Sequence, residues 1–476
     1  MIWRPKEGGM WDPSIIRHDG EYHVFTMYRK EGDPSHGHCF MATSEDGVHW
    51  QDRGVVLEER EREKGYIFFK CFVAHCGDRF IMDHGVARPG AQDPLRFYES
   101  GDLRHWEHIT STIPDTRWYA SPGRWDHMYI LPKEPGNHEA GYWGHVVAVA
   151  KPELPRGVGM MESDDGREWH VLPPAPVEWG DTPPRDFEWG GCERIGGKYY
   201  LIGGTSGYVC QGYSMYTFVA DYPCGPFRPD AEAYRLSGSS KDCVAWLAAW
   251  ARGKDNELLV SNYASVAPGD NHAPWMLPLR KPVVGEDGHL RLAWWPGNRT
   301  LKGENLALEK DNLALPEGDG KSEYHTAWLN SDFNLDEGVV VEGAIRANAD
   351  APCPAAGFLF DEGTDQTMAL LLGIGAREGR ETHIGRLRPD GQGGLEFLSQ
   401  DVTGSGCATV TGIEDGRTYG FRLLVRMTFF ELYVDDMLVQ TFVYRPASGR
   451  IGVVARGARL EVAELKAWRM SLPASK

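Results

Sequence analysis

At 476 residues the chain is too long for one ordinary hydrophobic core, so two domains are expected. Its formal net charge of −18 repels nucleic acid and anionic membranes, and neither is an expected partner. Nine cysteines, an odd number with no short-spaced CxxC pair, indicate neither a disulfide framework nor a zinc site, and no metal or cofactor is expected.

The opening residues, Met1-Ile2-Trp3-Arg4-Pro5, lack an apolar signal core, and no run is long enough to cross a bilayer. A cytoplasmic protein is the expectation, or a secreted or periplasmic one if a leader has been removed. The first motif is Met10-Trp11-Asp12-Pro13-Ser14. A hairpin is predicted behind it: Ile15-Ile16-Arg17, a turn at His18-Asp19-Gly20-Glu21, and a return through Tyr22-His23-Val24-Phe25. Asp-Pro is a common turn starter. A carboxylate beside a large ring at the head of a hairpin also suits a sugar, whose C–H face matches an apolar ring.

Helical periodicity is scarce. Most apolar runs are short, alternate, and end in Gly, Pro, Asp or Asn, which reads as strands and turns. One turn recurs. Ser44-Glu45-Asp46-Gly47-Val48-His49-Trp50 resembles Glu99-Ser100-Gly101-Asp102-Leu103-Arg104-His105-Trp106, and both resemble Glu162-Ser163-Asp164-Asp165-Gly166-Arg167-Glu168-Trp169. The closing tryptophans are 56 and then 63 residues apart, the size of a four-stranded propeller blade with generous loops. Two further units follow, from Asp186 to Phe227 and from Val244 to Arg280. The expected fold is therefore all-β: a five-bladed β-propeller over 1–304, a polar connection over 305–322, and a C-terminal β-sandwich over 323–476.

In a propeller the first strand of every blade lines the channel, so residues at the heads of those strands converge. Blade one offers Asp12 and blade three offers Asp126. Blade two offers no carboxylate, only His75. Blade four offers Asp186, Glu188 and Glu193; Glu188 lies nine residues before Gly197, as Asp12 lies eight before Gly20, whereas Glu193 lies only four before Gly197. Equal depth favours Glu188. Trp11, His75, His84, Arg124, Arg185, Trp189 and Trp246 are the candidate sugar-binding residues.

Several stretches together resemble the five-bladed propeller glycosidases, most of all glycoside hydrolase family 32, the β-fructofuranosidases and invertases. Trp11-Asp12-Pro13-Ser14 is similar to that family's Asn-Asp-Pro-Asn, and Gly37 to Trp50 to its Gly-His-Ala-x-Ser-x-Asp-x-x-x-Trp segment. Met276-Leu277-Pro278-Leu279-Arg280 resembles its Leu-Pro-Arg stretch. The motifs diverge where fructose is recognised: Arg-Asp-Pro is reduced to Arg124-Trp125-Asp126, and Glu-Cys-Pro to Glu188-Trp189-Gly190. Asp12-Pro13-Ser14 is also similar to the Asp-Pro-Ser of family 43, whose members usually invert.

The resemblance implies a carbohydrate substrate and a catalytic set of Asp12, Asp126 and Glu188. In a retaining exo-glycosidase on a furanoside, Asp12 would be the nucleophile, Glu188 the acid and base, and Asp126 a ligand of the sugar hydroxyls. An inverting arabinofuranosidase or xylosidase, and a non-catalytic carbohydrate-binding protein, are the alternatives. A phosphorylase would need a basic anion pocket, and the sequence places none.

Overall fold

The structure, a computed structural model, describes all residues except 34–36, 59–66, 88–93, 113–114, 122, 180–186, 207–212, 231–234, 239–246, 266–273, 317–323, 350, 364–365, 376–381, 392–393, 404–411 and 475–476. Nearly all of it is strand. Blade one is Gly9–His18, Glu21–Arg29, His38–Ser44 and Gln51–Glu58, paired in sequence order. Blade two runs from Ile67–Cys76 to Glu107–Thr112, and blade three from Trp125–Glu134 to His170–Pro176, in the same order. Blade four starts with Glu188–Ile195, Lys198–Ser206 and Tyr213–Ala220; two short strands, Arg228–Pro229 and Arg235–Gly238, share its outer edge.

The fifth unit differs from the other four. Its strands Ala249–Arg252, Leu258–Ser261, Arg280–Val284 and Leu290–Trp294 pair in order, but they do not form a separate sheet. Ala293 pairs with Met437, so the unit runs into an eleven-stranded sheet of the C-terminal sandwich. The five first strands still close a ring. Each packs on the next, and Ala249–Arg252 packs back on Gly9–His18.

The recurring acidic turn has a clear physical basis. Asp46 Oδ1 accepts the backbone N–H groups of Val48 and His49, each at 2.9 Å. Asp102 does the same for Arg104 and His105, and Asp165 for Arg167 and Glu168. The preceding Ser44, Ser100 and Ser163 each bond that Asp in turn. Such side-chain-to-backbone bonds satisfy donors that no ladder reaches. They explain why the motif recurs in blades one to three, at the same corner.

The sandwich packs the large sheet against a second one that includes Ala355–Asp361 and Thr367–Ile374. Phe360 stacks on Phe430 at 4.2 Å between the two sheets. Residues 305–322, expected as a connection, carry part of the strand Lys302–Leu306 and all of Leu313–Leu315, and both strands pair with Ala458–Met470. A buried ion pair joins the halves: Arg280 Nη2 donates to Glu431 Oε2 at 2.6 Å and to Thr441 Oγ1 at 2.8 Å, and Arg280 also bonds Asn262. Arg280 and Glu431 are both fully buried.

Candidate active site

The first four blades share one irregularity. Near the head of each first strand the register slips against the second strand. Asp12 and Pro13 oppose Thr26 alone; Phe69 and Lys70 oppose Gly85; Asp126 and His127 oppose Val147. In blade four Gly190 is the extra residue. A β-bulge bends its strand and re-aims side chains. Here it does so at one mouth of the channel, four times.

In blade one the bulge is held open by Thr26. Its hydroxyl donates to the Trp11 carbonyl at 2.5 Å and accepts the Trp11 N–H at 3.2 Å. Asp12 sits in the left-handed region at φ 49°, a conformation that costs about 1–3 kcal/mol when a non-glycine residue holds it. Thr26→Val keeps the shape and removes both bonds, leaving polar backbone atoms unpaired. It should cost about 1–3 kcal/mol of stability, read by urea unfolding.

The Asp12 carboxylate accepts a hydrogen bond from the Tyr263 hydroxyl at 2.5 Å. Burial pushes its pKa up; the Lys70 charge pulls it down, and Glu188 pushes it up again. Asp126 is buried, 2% exposed. Burial would raise its carboxyl too, but the Arg124 guanidinium and the His127 ring outweigh burial and hold it well below the usual range. Arg124 Nη2 donates to Asp126 Oδ2 and to Glu188 Oε1, each at 2.7 Å. His127 Nε2 donates to the Trp189 carbonyl at 2.9 Å, which ties blade three to the blade-four bulge.

That bulge requires glycine. A Cβ on Gly190 would lie 1.8 Å from the Ala248 carbonyl oxygen, and one on Gly191, at φ 109°, would enter the Tyr129 ring. The Trp189-Gly190-Gly191 sequence is thus what lets blade four approach blade five closely behind Glu188.

The structure brings Asp12, Asp126, Glu188 and Arg124 together. Trp11 is beside them, half-buried, its ring edge-on to Tyr263 at 5.4 Å. Other expectations need correction. Trp189 faces away from the channel, 2% exposed, packed on Phe187 at 4.6 Å within the blade-four core. His84 is fully buried and stacked on Tyr98, and burial lowers its pKa to about 3, so it is sealed from a sugar.

His75 lies at the opposite mouth. It is five residues past Lys70 on an extended strand, roughly 16 Å along. There it lines a cavity of about 490 Å³ with Arg17, Lys133, His138 and Arg252. Glu193 is in that cavity too, accepting from Tyr129 at 2.5 Å and paired with Arg252. Arg185, Asp186 and Trp246 lie outside the described residues.

Two residues at the site are not expected from the sequence, Tyr263 and Lys70. Lys70 is 1% exposed, with its ammonium 4.4 Å from the centre of the Phe72 ring. A lone lysine inside Phe68-Phe69-Lys70-Cys71-Phe72 is the available signal. It lies seven residues before Gly77, the same depth rule that picks Asp12 and Glu188.

A ring of antiparallel blades with converging carboxylates and a C-terminal sandwich is the architecture of propeller glycoside hydrolases. No protein-family profile and no curated protein sequence matches the chain. Solved structures do. The Bombyx mori family 32 β-fructofuranosidase superposes with a TM-score of 0.68 at 14% identity, covering 99% of this chain and 93% of that one. The sucrose-6-phosphate hydrolase of Lactobacillus gasseri gives 0.67 at 13%, covering 98% and 91%. The exo-inulinase of Aspergillus awamori gives 0.66 at 14%, covering 99% and 97%. The fold is that of glycoside hydrolase family 32, over the whole length.

Proposed function

We propose that the chain is a retaining, exo-acting glycoside hydrolase of a fructoside-like furanoside. The observation that carries this reading is Arg124, one guanidinium bonded to both Asp126 and Glu188, with Asp12 near enough for the Glu188 charge to act on its carboxyl. Asp12 attacks the anomeric carbon as the glycosidic C–O bond breaks, and Glu188 gives its proton to the leaving oxygen. Glu188 then takes a proton from water, which attacks the same carbon and frees Asp12. Asp126 is ionised and cannot donate, so it accepts from the sugar hydroxyls, whose bonds strengthen as positive charge builds on the ring.

Retention needs the two carboxyls ~5–5.5 Å apart, and inversion roughly 6.5–9.5 Å. The test is the anomer first released from sucrose and short furanosides, followed by NMR before mutarotation. Retained configuration supports the reading. Inverted configuration makes Asp12 a base, as in the arabinofuranosidase-like alternative. Calorimetric sugar binding without turnover on any furanoside makes the protein a carbohydrate-binding one.

Glu188→Gln should slow alkyl furanosides about 10²–10⁴-fold. Aryl furanosides, whose leaving group needs no proton, should lose much less in the first step. An equal loss on both would remove Glu188 from the acid role.

A further inference from the structure

We propose that Asp83 is the positioning residue of Asp126, a buried carboxyl on blade two that fixes where the blade-three bulge delivers its acid, and hence how firmly the pocket holds a sugar hydroxyl. The last step rests on the reading of Asp126 as a sugar ligand; the positioning itself does not.

Trp125–Glu134 is the edge strand of the blade-three sheet, so the backbone groups along its free side have no ladder to pair with. Blade two supplies a partner. Asp83 Oδ1 accepts the Met128 N–H at 2.6 Å, from a side chain that is fully buried. Met128 directly follows the bulged pair Asp126-His127 and is the first residue to resume regular pairing, opposite Val146. The hydrogen bond therefore pins the end of the bulge.

A second contact lies two residues further along the same strand, Arg79–Ala87. A Cβ on Gly85 would lie 2.9 Å from Asp126 Cα and 3.0 Å from its carbonyl carbon, so only glycine allows so close an approach. Alternate residues of a strand share one face. Here they meet alternate residues of the neighbour, Asp83 on Met128 and Gly85 on Asp126. The intervening His84 turns the other way and stacks on Tyr98 at 5.4 Å. Blade two thus spans the bulge, with a hydrogen bond at one end and a close backbone contact at the other. Thr26 holds the Asp12 bulge from within blade one. Asp83 holds that of Asp126 from the preceding blade.

What the place asks of Asp83 is one acceptor atom. Its Oδ2 has no hydrogen-bond partner among the described residues, and burial pushes the carboxyl well up, so the setting disfavours a charge there. Buried as it is, Asp83 does not reach a sugar, and its effect passes through Asp126. Asp126 in turn bonds the Arg124 guanidinium that Glu188 shares. Misplacing such a group by about 1 Å can cost on the order of 10²-fold in rate.

The test compares Asp83→Asn, which keeps an acceptor at the place of Oδ1, with Asp83→Leu, which keeps the size and removes it. On short furanosides, kcat/KM per folded protein should fall at least tenfold in Asp83→Leu and stay within threefold of native in Asp83→Asn. A residue that merely holds two blades together would leave the folded Asp83→Leu protein with native kcat/KM, and that result overturns the proposal. Equal losses in the two variants overturn it too. The second readout needs no substrate. Asp126→Asn should lower the melting temperature at pH 7, because the Arg124 charge holds the Asp126 carboxyl in its ionised form. That drop should be at most half as large in the Asp83→Leu background, where Asp126 has lost its place. Equal drops in both backgrounds overturn the positioning of Asp126. If Asp83→Leu fails to fold, Asp83→Ala replaces it in both measurements. If the native protein turns over no furanoside, the reading of its function fails, and the melting comparison alone decides the role of Asp83.

Discussion

Asp12→Asn should abolish turnover, by roughly 10⁴-fold or more, and should raise the melting temperature at neutral pH. Asn is the chosen replacement because it tolerates the left-handed conformation that Asp12 holds. The two effects have one cause. Burial is the main reason that the folded-state carboxyl lies above its unfolded value of 3.8. Below that value both states keep the proton, and Asp12 costs the fold nothing. As pH rises through 3.8 and then through the higher folded value, the unfolded chain gives up its proton more readily, and stability is lost. The loss is complete once pH exceeds the folded value. Asn never ionises and escapes it, so the gain should fade as pH falls towards 3.8. A variant that turns over at near-native rate would remove Asp12 from the chemistry. A melting temperature that drops at every pH would show that the Tyr263 bond outweighs burial. The proposed nucleophile is thus a residue whose burial the fold bears at a cost.

Arg280→Met should cost about 3–5 kcal/mol of stability, the largest effect expected away from the candidate site. Removing the guanidinium leaves Glu431 as an uncompensated charge at 0% exposure, beside Tyr433 and Thr441 that also bond it. Breaking one half of a buried pair is costly, whereas replacing both halves is often close to neutral. Adding Glu431→Leu to Arg280→Met should therefore recover most of the loss. Urea unfolding of the single and double variants decides it; a loss under about 1 kcal/mol for Arg280→Met would show that water reaches the pair.

Much of this fold is legible in the sequence because its signals are local. The Ser-x-Asp turns announce blades one to three, since the hydrogen bonds that define them lie within six residues. Asp12, Asp126 and Glu188 are legible because a propeller brings the heads of its first strands to one place. What the sequence hides is non-local. The single pairing of Ala293 with Met437, which fuses the fifth unit to the sandwich, spans 144 residues and has no signature. Tyr263 reaches Asp12 across 251 residues. His75 reads as a head residue because it is the first polar ring in an apolar strand, yet it lies only two residues before Gly77 and belongs to the other mouth. Lys70 is hidden by its type. A lysine among aromatics reads as an exposed edge residue, and burial at 1% is the exception.

The four bulges have a consequence for how such a chain diverges. Thr26 closes the bulge within blade one, and the tight contact of Gly190 with Ala248 closes that of blade four against the next. The side chain delivered at each position is therefore separable from the apolar packing between blades. Single codon changes at these places can exchange a carboxylate for a lysine, and hence retune the electrostatics of the pocket, while the cores drift under their own constraint of volume. A backbone that superposes over 99% of its length on another at 14% identity is what that separation permits.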